Sequence, residues 1–228
     1  MVFLKRSLFD IVSPLIVIYI KKWNDDRVVL YDDSEVSATE AEAFIFWNFV
    51  FLMRMTQQNR IFASLRENQT FVLERSSNLA SAVHPPLQKL LENTDLKGLE
   101  FLFRQMLLLF KRDFRLPDVL RLWDSILTFP PPFVFPRLVA AAILVLLFPR
   151  FLTQTDGSLS DAIAATDIFL ESADVRAIIR LAASIGDEVS LQRASNAGFI
   201  EDCIRPVPFN SRDLSYKPRY LKFAEIEE

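Results

Sequence analysis

A chain of 228 residues with one cysteine, one histidine and four glycines is short of most of the raw material of catalysis. The lone Cys203 excludes an internal disulfide framework and fits a reducing compartment. With His84 as the single histidine, neither a Cys–His pair nor a histidine-based zinc site assembles in the usual ways, and a serine triad would have to use that one imidazole. Its place before Pro85-Pro86 marks it as a loop or helix-end residue. Four scattered glycines cannot cradle a phosphate: GxGxxG, GxxxxGK(S/T) and GxSxG are all missing from the sequence. No carboxylate pair stands out within an apolar pattern. We therefore expect no catalytic residue, no cofactor and no metal. A formal net charge of −3 gives no global attraction to nucleic acid or to anionic membrane.

Long apolar runs are also scarce. Ile11–Ile20 contains Ser13 and Pro14, and the eleven residues Leu138–Phe148 are closed by Arg137 and Pro149-Arg150. Both fall short of the ~20 residues needed to cross a bilayer, so both are expected to be core helices, with no transmembrane segment. Asp10 interrupts the first run and no small-residue cleavage site follows it, which makes a poor signal peptide. No repeat recurs at 30–50 residues, which disfavours an α-solenoid.

What is abundant is phenylalanine (21) in a chain that is 51% apolar and 24% charged, the composition of one folded domain built from packed helices. Its centre is Leu99–Leu127. Lys97, Glu100, Arg104 and Lys111 form a narrow polar stripe in the first half, and Val119, Leu122, Trp123, Ile126 and Leu127 fall on one helical face in the second, behind Pro117. Two hydrophobic helices joined by a basic turn are expected there. Around them the pattern predicts a helix over Ser7–Trp23, possessing a kink or late start at Pro14, and an acidic solvated loop over Asn24–Val36. A capping box Thr39/Glu42 then opens a helix to about Gln58, whose Phe44, Trp47, Val50, Phe51, Met53 and Met55 are expected in the core. One or two helices follow over 59–91, then a buried helix over Arg137–Phe148, one from Ser158 to about Leu170, and one from Asp174 to Ile185 ended by Gly186. The fold class is all-α. Residues 1–186 form the domain, and 187–228, with Pro206, Pro208 and Pro218, form a poorly ordered tail.

The run Phe101–Phe114 (FLFRQMLLLFKRDF), with Val119-Leu120-Arg121-Leu122-Trp123-Asp124 after it, resembles the C-terminal half of a TBC domain. The family pattern there is FRWLLxLFKREF…xxxLRLWD, and the chief departure is Gln105 where Trp is usual. Asp10-Ile11-Val12-Ser13-Pro14-Leu15 is similar to the DLLSPIL that begins a family helix, and Ala43–Met55 to the AFWCFVGFMERM that follows. The resemblance covers about residues 4–185. It implies a multi-helix TBC-type C-terminal subdomain, and a GTPase-activating protein for a small GTPase of the Rab family. It implies too a cytoplasmic setting in vesicle trafficking, peripheral at intracellular membranes through that GTPase.

Family members supply an Arg, in IxxDxxR, and a Gln, in YxQGM just before the DLLSPIL helix. An Arg inserted in trans is worth on the order of 10³–10⁵ in GTP hydrolysis. Counted back from Asp10, the Gln position holds Arg6 and the Tyr position Leu4, with Ser7 and Leu8 at the Gly and Met positions; IxxDxxR does not occur. Neither group carries over. The resemblance thus implies a truncated domain whose candidate GTPase-contacting residues are Arg6 and Ser7. Arg6 is either a repurposed finger or a solvated residue of a frayed terminus. Arg104 and Lys111 match structural positions; Arg115 and Arg121 are unassigned. The alternative is a catalytically inactive Rab-binding or scaffold module. A domain without its N-terminal half is also expected to expose apolar surface.

Overall fold

The computed structural model describes the backbone of residues 2–24, 26–94, 96, 98–154, 157–192 and 197–208. Side chains are described from Leu8 onward within these ranges, except at 66, 154, 191–192, 197 and 199–200. Among the described residues there are eleven α-helices and one small sheet, the all-α class expected. Helix α1 (Val2–Tyr19) runs through Pro14 and stops at Tyr19. There the chain enters an antiparallel sheet of β1 (Ile20–Asn24), β2 (Arg27–Leu30) and β3 (Glu35–Ser37) in sequential order. This corrects the expected acidic loop over 24–36. Trp23 lies opposite Val28 and Val28 opposite Val36, with Val28 fully buried. Valines and a tight turn between Asn24 and Arg27 make strands of a segment whose described charges are exposed.

Helix α2 (Ala38–Met55) has its capping box two residues earlier than expected: Ser37 is the N-cap. Ser37 Oγ accepts from the Glu40 N–H at 3.2 Å, and the Ser37 N–H donates to Glu40 Oε2 at 2.8 Å. The expected burial of its aromatics is also corrected. Leu52 and Met53 are buried, whereas Phe44, Trp47 and Phe51 are 50%, 63% and 52% exposed. Three helices occupy the next stretch: α3 (Gln58–Ala63), α4 (Leu65–Val83) and α5 (Pro85–Glu92). His84 stands at the junction of α4 and α5, its ring 4.6 Å from that of Phe148.

The central stretch is not two plain helices. Glu100–Leu102 is one 3-10 turn, α6 is only Phe103–Leu107, and residues 108–114 form a compact turn before α7 (Leu116–Thr128). Leu99, Leu109 and Phe110 take left-handed backbone, at φ 53°, 49° and 60°. Each such residue costs about 1–2 kcal/mol relative to ordinary backbone. Burial offsets the cost, because all three side chains are fully buried, and hydrogen bonds close the turn. The Phe110 N–H donates to the Gln105 carbonyl at 2.7 Å, and Trp123 Nε1 donates to the Leu109 carbonyl at 2.9 Å.

Helix α8 (Phe135–Gln154) is the core element, packed on α4, and on α9 (Leu159–Ser172) and α10 (Val175–Gln192). It is longer than its apolar run suggested: Phe135–Thr153 is long and apolar enough to cross a membrane by length and composition, but 67% of it is buried inside the protein. Gly186 does not end α10. A Cβ there would lie 3.2 Å from Leu138, so the glycine serves the close approach of α10 to α8. Residue 187, expected to begin a tail, lies inside α10, and α11 (Ala197–Cys203) and 204–208 follow it; 209–228 are outside the described residues. Arg137, buried on α8, donates to the carbonyls of Cys203 (2.9 Å) and Arg205 (2.8 Å), and Arg75 pairs with Asp202 at 2.9 Å.

Trp123→Phe keeps most of the buried ring but leaves the Leu109 carbonyl without its donor. We expect a loss of about 1–3 kcal/mol in unfolding free energy, read as a lower urea midpoint at unchanged slope.

Candidate functional site

The left-handed pair at 109–110 sends Leu109 and Phe110 inward and turns the next two side chains, Lys111 and Arg112, toward α1. Arg112 Nη2 lies 2.6 Å from Asp10 Oδ2, and Lys111 Nζ lies 3.8 Å from Asp10 Oδ1. Asp10 is four-fifths buried and Arg112 about half exposed, so this pair is worth more than a fully solvated one. One carboxylate on α1 is thereby held by two cations from the turn. Arg6 and Ser7 lie on the same helix, four and three residues before Asp10, which places their backbone one turn away. Their side chains are outside the described residues, so no partner is assigned to either. Phe9, beside Asp10, is 71% exposed.

Behind this edge sits a second charged group. The Asp113 side chain is 3% exposed, with Arg104 at 3.7 Å; Arg104 also pairs with Asp167 of α9 at 2.7 Å. Arg104 therefore clamps the turn to α9, the structural role expected of it. Gln105 is buried beside it. With its amide nitrogen donating to the Phe101 carbonyl (3.0 Å), its oxygen accepts from Arg104 (3.2 Å). The residue that departs from the family's usual Trp thus joins a polar network rather than an apolar one. Asp113 Oδ2 has no hydrogen-bond partner, and burial pushes the carboxyl up to about 6, with Arg104 opposing the shift. Arg112, Asp113, Arg115, Asp118 and Glu171 line an open cleft of about 430 Å³ between the turn, α7 and α9.

Among the described residues no cluster of His, Cys, Asp and Glu could hold a metal ion. Burial pushes the Cys203 thiol up to about 11, far from a reactive thiolate. The edge carries the half-exposed Arg112, the exposed Phe9 and the cleft. Sequence reasoning missed the Asp10–Arg112 pair, the burial of Asp113 and the buried Arg137. The first joins residues 102 apart, and no local pattern marks such a pair.

The family profile of the Rab-GTPase-TBC domain matches residues 7–152. Human TBC1 domain family member 17 is 39% identical over 103 residues, 45% of this chain and 16% of that protein. Mouse TBC1 domain family member 13 is 34% identical over 115 residues, 49% of this chain and 28% of that protein. The GTPase-activating protein GYP7 of Yarrowia lipolytica is 33% identical over 124 residues, 54% of this chain and 14% of that protein. The chain thus spans less than a third of the length of these relatives. No solved structure matches it significantly.

Asp113 generates a pH prediction. An acid whose pKa rises on folding gives the folded state the extra proton between about pH 4 and 6. The stability it contributes is therefore present below about pH 4 and lost as pH climbs through 6. Asp113→Asn removes the buried charge, so we expect the variant to be the more stable at pH 7, by at most about 3 kcal/mol, and to match the parent near pH 4. Urea unfolding at four pH values between 4 and 7 checks both the sign and the window.

Proposed function

The chain belongs to the Rab-GTPase-TBC domain family, and on that premise we propose that it engages a small GTPase of the Rab family and stimulates its GTP hydrolysis. One observation carries the choice of surface. Asp10, held by Arg112 and Lys111, fixes the rotation of α1 beside the exposed Phe9, about two turns from the start of that helix. That start is where the family resemblance puts its glutamine. In this reading Arg6 and Ser7 contact the GTPase, and residues 1–186 act as the later portion of a TBC domain. The protein works where its GTPase does, on the cytoplasmic side of intracellular membranes.

The mechanism follows from where charge develops. As the γ-phosphoryl group transfers, negative charge spreads over its oxygens, and a guanidinium placed there stabilises the transition state more than the ground state. The glutamine of the family orients the attacking water, a task a guanidinium, with donors and no acceptor, does poorly. Arg6 at that position therefore supplies charge stabilisation without water positioning. A specific feature favours a second reading. Leu4 and Arg6 replace the Tyr and Gln of the family motif, which suits a module that binds a Rab without accelerating it.

Single-turnover GTP hydrolysis by a panel of Rab proteins, with and without the chain, separates the two. Acceleration that falls by about 10³ or more in Arg6→Ala supports Arg6 as the charge-stabilising group. Binding with an unchanged hydrolysis rate supports the binding module. Acceleration indifferent to Arg6→Ala would remove Arg6 from the mechanism.

A further inference from the structure

We propose that a second copy of this chain packs on the exposed aromatic face of α2, the two helices antiparallel about a two-fold axis at Trp47. Phe44, Trp47 and Phe51 recur at i, i+3 and i+7 and are all at least half exposed, and the Phe46 ring stands edge-on to Trp47 at 5.4 Å between centroids. Scattered exposed aromatics need no explanation, but a contiguous row on one helix marks an interaction surface. The opposite face of α2 is occupied, packed against α1 and carrying the buried Ala41, Leu52 and Met53.

The choice of occupant rests on the charges at the two ends of the row. Glu40 continues it one turn before Phe44, Arg54 continues it one turn after Phe51, and both are exposed. The stripe Glu40, Phe44, Trp47, Phe51, Arg54 thus reads acid, three aromatics, base on a single helical face. Glu40 and Arg54 each stand seven residues from Trp47, about 10.5 Å along the axis. A two-fold axis at Trp47 that reverses the helix therefore carries Arg54 of each copy to Glu40 of the other. The same axis sets Phe44 against Phe51 and brings the two Trp47 indoles together at the centre. Parallel pairing of this face would oppose acid to acid and base to base, so the charges select the antiparallel arrangement. Opposed helix dipoles favour it as well.

Both end groups are available for such a contact. Among the described residues none pairs with Arg54. Glu40 gives Oε2 to the cap of its own helix, where it accepts from the Ser37 N–H and hydroxyl at 2.8 Å each, which leaves Oε1 to a cation. Arg27 is within electrostatic reach of Glu40, while Glu42, Asp32, Asp33 and Glu35 are exposed in or just before the same turn, so this end of α2 is acidic on balance. An aromatic side chain buries about 150–250 Å², so six half-exposed rings from two copies have about 450–750 Å² left to bury. That is the small end for a specific interface, which sets the expected assembly as a reversible dimer rather than an obligate one.

Sedimentation velocity of the full chain, from about 1 to 300 µM, reads the assembly directly. We expect a monomer–dimer equilibrium with a Kd of about 1–100 µM. Trp47→Ser, at a position the core does not use, should weaken it at least about tenfold. Arg54→Glu alone and Glu40→Lys alone each set like charges together at both ends of the contact, and each should weaken the dimer about tenfold. Mixed in equal amounts, these two variants form a heterodimer in which both ion pairs are restored, and association should return to about the parental strength. A variant that merely failed to fold would show no such recovery. A parent chain that stays monomeric at the highest concentration would overturn the proposal, as would a dimer indifferent to Trp47→Ser or a mixture that does not recover. A monomeric parent that binds an added Rab through Trp47 would assign the face to that GTPase instead.

Discussion

A single hydrogen bond, from the indole nitrogen of Trp123 to the carbonyl of Leu109, holds the geometry on which the candidate site depends. Leu109 and Phe110 are left-handed without being glycine, a conformation that persists only when the surroundings over-determine it. The indole supplies one constraint, the Gln105 carbonyl a second, and the complete burial of both side chains a third. Because the chain reverses there, Arg112 and Lys111 face Asp10 of α1, and Arg104 meets Asp167 of α9. Relax the turn and both clamps lose their register together.

Two charges carried into the interior meet the same desolvation cost to different extents, each with one polar atom left unpartnered. Arg137 is buried and its Nη2 has no hydrogen-bond partner, but its Nη1 donates to two backbone carbonyls and the guanidinium lies within 5.5 Å of the Phe71 and Phe133 rings. Burial lowers its pKa to about 10, which leaves it charged at neutral pH and able to fasten the 203–205 strand of chain to α8. Asp113 keeps one oxygen without a partner, and its proton becomes comparatively easy to hold. The first charge builds structure beyond α10; the second lowers stability at neutral pH beside the cleft.

On the proposed reading, the nucleotide and its metal sit in the partner GTPase, and this chain supplies a rigid edge and a few polar groups, at α1 and the turn at 108–114. The aromatic row on α2 is a separate surface on a helix that packs against α1, so whatever covers it also bears on the rigidity of the edge. Large apolar side chains are exposed on α2 and also at Phe9, Leu152 and Ile168.

The all-α class, α7 with its Val119, Leu122, Trp123 and Ile126 face, α9 capped by Ser158, and the family itself were all legible in the residues. Each rests on signals confined to a few turns: a 3.6-residue period, a cap, a run of matched positions. The left-handed turn was not legible, because leucine and phenylalanine carry no mark of positive φ. The sheet at 20–37 hid behind its acidic composition, and Gly186, a helix stop by local rules, turned out to be a contact between α10 and α8. For the site, the sequence located Arg6 and Ser7 on a helix by counting from Asp10, but it could not find what holds that helix. Asp10 and Arg112 are 102 residues apart, and only the packing of the whole chain brings a carboxylate and a guanidinium to 2.6 Å. Local energies choose the elements; the burial shared between distant elements decides which of their side chains meet.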